Sequence, residues 1–443
     1  MTDRHPTHRQ TVAAATRAIA RLNQKVNAVI HTQTQPARDP GRPTLPVLVK
    51  DCMHVRGLPT TYGSEIFDGN IAASEDATVI DRLRSQNVTI VGKANLTEFC
   101  FGATGQNDYF GNCKNPWNTD RITGGSSSGS AAAVASGMVR MALGTDTGGS
   151  VRVPAALCGV VGLRPTLGRV PNTGCLEVST ISDTIGPLAA TVEEASWLFD
   201  AIQGYDAADP LSVATGPGTL ATLEDGVEGL TIGRLGGFFA ENLDPAIEIG
   251  IAEVASLLES QRARLTDTLP NNDTAIREHH AFRFILADVA DARKNLMEDP
   301  SQRSRISAEV RRRIELGQQV SGTEYASSIR SLLALRQWLR DVFDGGVDLL
   351  LLPTTPVTAP LWRDAEDMVE TTRLVARLTY DLGATGIPSI SVPMGLDAQG
   401  MPMGAMLAAS WGNEAVLMRA ARAIERGLSL TAQPPLYAEP EID

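Results

Sequence analysis

Gly124-Gly125-Ser126-Ser127-Ser128-Gly129-Ser130, followed further on by Thr147-Gly148-Gly149-Ser150, is the stretch from which the rest of the chain can be read. The two glycine- and serine-rich runs flank a small apolar segment, Ala131 to Leu143. By composition alone such runs describe a flexible linker. Here apolar segments interrupt and follow both runs, which places them inside a folded core. Loops rich in glycine can turn several backbone N–H groups toward an anion or a developing oxyanion. Ser128 or Ser130 is placed to cap the Ala-rich helix, and Pro154 to open a second helix over Ala155 to Cys158. Both runs therefore lie near helix N-termini, where the partial positive charge favours an anion.

Working outward, Leu45 to Val49 is a continuous apolar run that ends on Lys50 and Asp51 and reads as a buried strand. A helix over Glu75 to Ser85 and a strand over Val88 to Val91 follow, so strand, helix and strand predict a parallel α/β unit. Thr7 to Ile30 carries apolar residues at helical spacing, and Pro36 to Pro43 breaks the chain before the first strand. Met138 to Leu143 leads into another strand. From about Gly216 to Gly345 the pattern becomes long polar helices, expected over Asp244 to Leu265, Thr274 to Glu298, Ser304 to Val320 and Thr323 to Phe343. This region is expected to be a helical, substrate-determining part of the same domain. Val347 to Leu352, Ser389 to Val392 and Gly404 to Leu407 read as further strands, and Glu414 to Arg426 as a closing helix.

With 443 residues, 43% of them hydrophobic and 20% charged, the chain can bury a large core. A formal net charge of −12 argues against nucleic acid and anionic membrane surfaces as partners. Met1 to Pro6 is polar and does not read as a secretory signal, and no apolar run reaches the length of a membrane span. The five cysteines, Cys52, Cys100, Cys113, Cys158 and Cys175, form no CxxC pair. Free thiols in a cytoplasmic protein are the expectation, with no metal site.

A hydrolytic serine needs a base. None of the six histidines lies within the Gly/Ser region. Gly125 to Gly129 formally matches the G-x-S-x-G nucleophile elbow, with Ser127 as nucleophile and His279 or His280 downstream. The strand that should precede such an elbow is missing, because Asn112 to Thr123 is polar and contains Pro116. Neither an S-x-x-K motif nor a phosphate-binding loop occurs. Lysine is the other available base, and it works only when deprotonated. Lys50 ends an apolar strand. Position alone leaves it open between such a base and a solvated charge.

Val49-Lys50-Asp51, Gly57 to Thr61, Gly92 to Phe99 and Asn115-Pro116-Trp117 stand in order before the Gly/Ser region. Gly124 to Ser130, Leu143 to Ala155 and Cys158 to Thr166 follow, with further matches at Leu349 to Pro356 and Gly386 to Leu407. Together these motifs resemble the amidase signature family. The resemblance implies one α/β domain over residues 1–443, with a mixed central sheet surrounded by helices. Within it, residues 45–195 would form the catalytic core and 216–345 the helical region. It also implies a Ser–Ser–Lys triad: Lys50 as base, Ser126 as bridging serine on a cis peptide, and Ser150 as nucleophile. Backbone N–H groups of Thr147, Gly148, Gly149 and Ser150 would form the oxyanion hole. Cys100, Phe101 and Ser127 are candidates for the substrate pocket. Asp146 and Arg152 are expected to brace the nucleophile loop, and Asp183 to be structural. One departure from the family pattern is Ser128, which stands where a glycine is usual.

The implied function is hydrolysis of the C–N bond of a small linear or ureido amide through a Ser150 acyl-enzyme, without cofactor or metal. The alternative is an amidotransferase A-type subunit that releases ammonia within a complex. The implied partner is a small-molecule amide, with no nucleic acid and no membrane, and a homodimer or a small accessory subunit stays open.

Overall fold

The computed structural model of the protein describes residues 10–34, 37, 39, 44–69, 71–270 and 280–438. The Met1 to Pro6 stretch, most of the Pro36 to Pro43 break, the start of the helix expected over Thr274 to Glu298, and His279 lie outside the described residues.

The helix expected over Thr7 to Ile30 is α1, Val12–Val26. Its N-cap Thr11 accepts a hydrogen bond from the Ala14 N–H, and it ends at Asn27 in the left-handed conformation. Its apolar stripe, Ala15, Ile19, Leu22 and Val26, packs inward. The strands form one sheet of eleven: β1 (Val29–His31), β2 (Leu45–Lys50), β3 (Val88–Ala94), β4 (Met141–Asp146), β5 (Val161–Arg164), β6 (Thr184–Ala189), β7 (Thr231–Leu235), β8 (Arg264–Thr268), β9 (Leu349–Pro353), β10 (Ser389–Leu396) and β11 (Pro402–Ala409). Their order across the sheet is β1-β3-β2-β4-β6-β5-β10-β11-β9-β7-β8. Parallel pairs (β3 with β2, β2 with β4, β9 with β7, β7 with β8) lie on both sides of an antiparallel middle. The sheet is therefore mixed, as the family resemblance implied, and the β2–helix–β3 unit is parallel, as the pattern predicted. The helix in that unit is α2, Thr78–Ser85.

The register that matters for the site is Val49 opposite Leu143. It brings the C-terminal ends of β2 and β4 side by side, so Lys50 and Thr145 leave the sheet at the same edge. Each Gly/Ser run feeds a short, fully buried helix at that edge: α3, Ser128–Ala135, and α4, Arg152–Cys158.

The outer elements include α5 (Val192–Ile202), α6 (Pro245–Ser260), α7 (His280–Ala292), α8 (Ala308–Gln318), α9 (Gly322–Asp344), α10 (Met368–Ala376), α11 (Tyr380–Ala384) and α12 (Glu414–Leu428). The region over residues 216–345 is not wholly helical. It contributes β7 and β8 to the edge of the sheet, and α6 stops at Ser260 where the sequence pattern ran the helix on to Leu265. The cause is local: after Gln261 the chain turns through Arg262 at φ 69° and enters β8 beside β7.

Beside the site, the fully buried Lys93 pairs with Asp51 at 2.6 Å, and the Thr61 N–H donates to the same carboxylate at 3.0 Å. Removing one member of a buried pair strands the other charge. Lys93→Ala is expected to lower stability by about 3–5 kcal/mol, measured as a shift in the urea unfolding midpoint at constant slope.

Candidate active site

Lys50 is fully buried at the end of β2. Its Nζ donates to Ser126 Oγ at 2.7 Å and to Thr145 Oγ1 at 2.7 Å. Among the described residues no carboxylate lies within ion-pair distance of it. The adjacent carboxylate, Asp51, is taken by Lys93. Ser126 follows a cis Gly125–Ser126 peptide and is fully buried, and its carbonyl accepts the Thr97 N–H at 3.2 Å.

The two runs meet directly. The Ser127 N–H donates to the Ser150 carbonyl at 3.2 Å, pinning the first run against the second. Ser127 Oγ donates to the Thr145 carbonyl and accepts the Thr145 N–H, both at 3.2 Å. Ser127 is therefore a tie between the loop and β4. It does not line the cavity at Ser150, and its engaged hydroxyl leaves the G-x-S-x-G reading without a free nucleophile. Ser128, the departure from glycine, lies at the first turn of α3, fully buried beside Cys113.

Asp146, at the end of β4, organises the nucleophile loop. One oxygen accepts the Gly149 N–H at 2.8 Å and the other accepts the Val151 N–H at 3.2 Å. Arg152 binds it through Nε and Nη2, each at 2.9 Å, and Arg164 Nη1 approaches to 3.1 Å. Burial alone would raise this carboxyl. The charge and hydrogen bonds of Arg152, then the charge of Arg164, outweigh it and hold the group well below the usual carboxylate range. Of the four N–H groups assigned to the oxyanion hole, that of Gly149 is thus already engaged by Asp146.

A second layer fixes Thr147 and Gly148. The Thr147 hydroxyl donates to Asp183 at 2.6 Å, the Ser182 hydroxyl donates to the Thr147 carbonyl at 2.7 Å, and the Thr379 hydroxyl donates to the Gly148 carbonyl at 2.7 Å. The Tyr380 ring lies against Gly148, where a Cβ would come within 2.2 Å of it, so only glycine fits. Asp183 braces the loop through Thr147, in line with the structural role expected for it.

Ser150, half-buried, opens on a small cavity of about 20 Å³ walled by Cys100, Phe101, Gly148, Ile285 of α7, Arg313 of α8 and Tyr380. Cys100 and Phe101 thus stand at the cavity beside Ser150. A larger cavity, about 470 Å³, lies at the opposite ends of α3 and α4 and contains none of the signature serines.

Arg313 was not foreseen. It is 1% exposed, its Nη1 donates to the Phe101 carbonyl at 2.7 Å, its guanidinium lies 4.1 Å from the centroid of the Phe101 ring, and its Nε has no partner. Among the described residues no carboxylate pairs with it. One signal was present: Val310, Arg313, Ile314 and Gly317 fall at helical spacing on one face, and all four are buried. Thr145, Arg164, Thr379 and Tyr380 were also given no role from sequence. Thr145 and Arg164 sit inside the quoted motifs, whereas Thr379 and Tyr380 reach the loop only through the tertiary fold.

A family model described as Amidase matches residues 10–418. The chain is 37% identical over 420 residues to the A-type subunit of the glutamyl-tRNA(Gln) amidotransferase of Anaeromyxobacter sp. (strain K), covering 88% of this chain and 84% of that one. Among solved structures, it superposes with a TM-score of 0.86 and 29% identity on a chain of a vestigial complex that bears on the origins of an s-triazine catabolic enzyme, covering 96% and 95% of the two chains. With the corresponding A-type amidotransferase chain of Thermotoga maritima the TM-score is 0.81 at 30% identity, over 96% and 94%. The chain belongs to the amidase family. It is an enzyme of the class that acts on carbon–nitrogen bonds.

Burial, opposed by the Thr147 hydroxyl, the Val178 and Ser179 N–H groups and the charge of Arg164, pushes Asp183 up to about 6. A carboxyl raised on folding binds a proton more tightly in the native state, so its contribution is present at low pH and is lost as pH rises through the folded value. Between about pH 4 and pH 6, stability should fall by on the order of 3 kcal/mol from this group. Asp183→Asn should lack that slope, whatever its baseline, in urea titrations across the same range.

Proposed function

We propose that Ser150, activated through Ser126 by Lys50 as base, cleaves the C–N bond of a small linear amide that carries a carboxylate. The observation that carries the reaction is the 2.7 Å separation of Lys50 Nζ and Ser126 Oγ, across which a Ser126 hydroxyl turned toward Nζ can give up its proton, with no carboxylate within ion-pair distance of Lys50 among the described residues. As Ser150 Oγ attacks the amide carbon, its proton passes to Ser126 while the Ser126 proton passes to Lys50. The carbonyl oxygen becomes an oxyanion facing the N–H groups of Thr147, Gly148 and Ser150. The Gly149 N–H, held by Asp146, fixes the shape of the loop. Collapse expels the nitrogen, which takes a proton back along the relay and leaves as ammonia or an amine. Water adds to the acyl-enzyme with its proton drawn off by the same relay. The acid is released and Ser150 is regenerated.

Arg313 supports the substrate class. A buried guanidinium without a counter-ion is costly, and one that walls the nucleophile cavity is relieved by an anionic substrate group. The same triad serves a second reading, an amidotransferase-type subunit that passes ammonia to a partner. Its support is the 37% identity to such subunits and the match to a solved one. An accessory subunit or a homodimer fits either reading. The five free cysteines favour the cytoplasm. No helix among the described residues is long and apolar enough to cross a membrane.

Ammonia release from a panel of neutral, carboxylate-bearing and ureido amides tests the reading. Ser150→Ala should lose at least about a thousandfold in kcat, and Lys50→Ala nearly as much, because members of a relay fail together. Hydroxylamine should trap the acyl group with the intact enzyme only. Full turnover by either variant rejects the assignment. ATP-dependent turnover confined to a purified complex would select the amidotransferase reading. Arg313→Met should raise KM for carboxylate-bearing amides by about ten- to a hundredfold and leave neutral amides little changed.

A further inference from the structure

The turn Glu98–Gly102 touches α8 at two separated points. At one end, the buried Glu98 carboxylate accepts the backbone N–H of Ser307, the N-cap residue of α8, at 3.0 Å, and the Ser64 hydroxyl at 2.6 Å. At the other end, the Phe101 carbonyl and ring receive the Arg313 guanidinium. Between them Phe99 and Cys100 hold the left-handed conformation, at φ 54° and 60°, which non-glycine residues adopt only when their surroundings impose it. Hydrogen bonds from the Phe99 N–H to the Tyr62 carbonyl (2.8 Å) and from the Phe101 N–H to the Glu98 carbonyl (3.1 Å) impose it here. Gly102 completes the fit, because a Cβ there would lie 2.7 Å from Arg313 Nη1.

Glu98 has no cationic partner among the described residues. Burial raises its carboxyl, against the hydrogen bonds from Ser307 and Ser64. A carboxylate placed among the unpaired N–H groups of a helix N-terminus draws that helix toward it. The helix it draws in carries Arg313, and the turn that bears Glu98 also bears the two cavity residues Cys100 and Phe101.

We infer that Glu98 is a positioning residue for substrate selection: by holding the N-terminus of α8 to the 98–102 turn, it sets the Arg313 guanidinium at the Ser150 cavity and thereby the preference for carboxylate-bearing amides. The inference rests on the proposed role of Arg313. Glu98 touches neither the substrate nor the reacting atoms. Its loss therefore shows as weakened recognition of the anionic group, with the triad intact. Glutamine in its place can turn its one carbonyl oxygen to the Ser307 N–H and donate its amide N–H to the Ser64 hydroxyl oxygen, so it preserves the grip on α8 without the charge.

The test compares succinamate with butanamide, its neutral analogue, in four variants of the full chain. Glu98→Ala should raise KM for succinamate at least about tenfold, with kcat for both amides and KM for butanamide within about twofold of the parent. Glu98→Gln should restore most of the succinamate KM. Ser64→Ala, which removes only one of the two grips, should give a smaller shift of the same kind and serves if the alanine variant does not fold. Equal losses on both amides, or no shift for succinamate, would overturn the inference. Arg313→Met separates the two levels. If it leaves the succinamate preference intact, the reading of Arg313 fails and this inference with it. If it abolishes the preference while Glu98→Ala does not, only the inference about Glu98 fails.

Discussion

The site depends on one buried carboxylate. Asp146 ends the strand that delivers the nucleophile loop, and the loop folds back over it within a few residues. Its oxygens collect the Gly149 and Val151 N–H groups and two guanidinium groups. An unpaired carboxylate in this position would be prohibitively costly to bury, so Arg152 and Arg164 are conditions of the fold itself. Arg164 then extends the network outward, donating to the Ser182 and Gly383 carbonyls at 2.8 Å each. Through Ser182 it reaches Thr147, and through Gly383 it reaches the segment that carries Thr379 and Tyr380. The Thr147–Ser150 backbone is thereby held from both sides, and under the proposed mechanism its N–H donors would need little reorganisation during the reaction.

The second constraint is the separation of Lys50 from the carboxylate next to it. Successive residues of a strand point to opposite faces. Lys50 turns toward Ser126 and Thr145, while Asp51 turns away to Lys93 and Thr61. Were Asp51 free to reach Lys50, the two would pair, and under the proposed mechanism Lys50 would not be available to Ser126. The Lys93–Asp51 pair thus does more than hold β2 to β3. It also occupies the carboxylate that stands next to Lys50 in the chain.

Much of this could be read from the chain because the site is built from local sequence. The Gly/Ser runs, the strand ending in Lys50 and the β2–α2–β3 unit carry their periodicity and turn residues within short windows. What sequence reading missed comes from long-range contacts. β7 and β8 are short strands at the edge of the sheet, β8 is only partly buried, and its polar residues continue the pattern of α6 without a break. Ser127 resembles Ser126 in every local respect. Only the register of β4 shows that its hydroxyl is tied to Thr145. The Gly149 N–H could be recognised as unavailable only once Asp146 was seen beneath it. Arg313 lies about 160 residues downstream of Ser150, next to two arginines, Arg311 and Arg312, that lie off the buried face of the same helix.

Arg313 also explains how selectivity can arise without a large binding surface. A guanidinium that is 1% exposed and has no carboxylate partner among the described residues has left water without full compensation, a local conflict of the kind found at functional sites. On the reading proposed above, an amide bearing a carboxylate would resolve the conflict on binding. A neutral amide of the same size covers the charge and leaves it unpaired. The discrimination is therefore a difference between repair and further burial, and a site built this way rejects the wrong partner more strongly than an apolar pocket can. It requires the guanidinium to be held in place, since a flexible one would retreat to solvent. The Phe101 carbonyl and ring hold its head, and the packing of Val310 and Ile314 holds its helix. On the proposed reading, rigidity of α8 against the Thr147–Ser150 loop would be part of recognition, as rigidity around Asp146 would be part of catalysis.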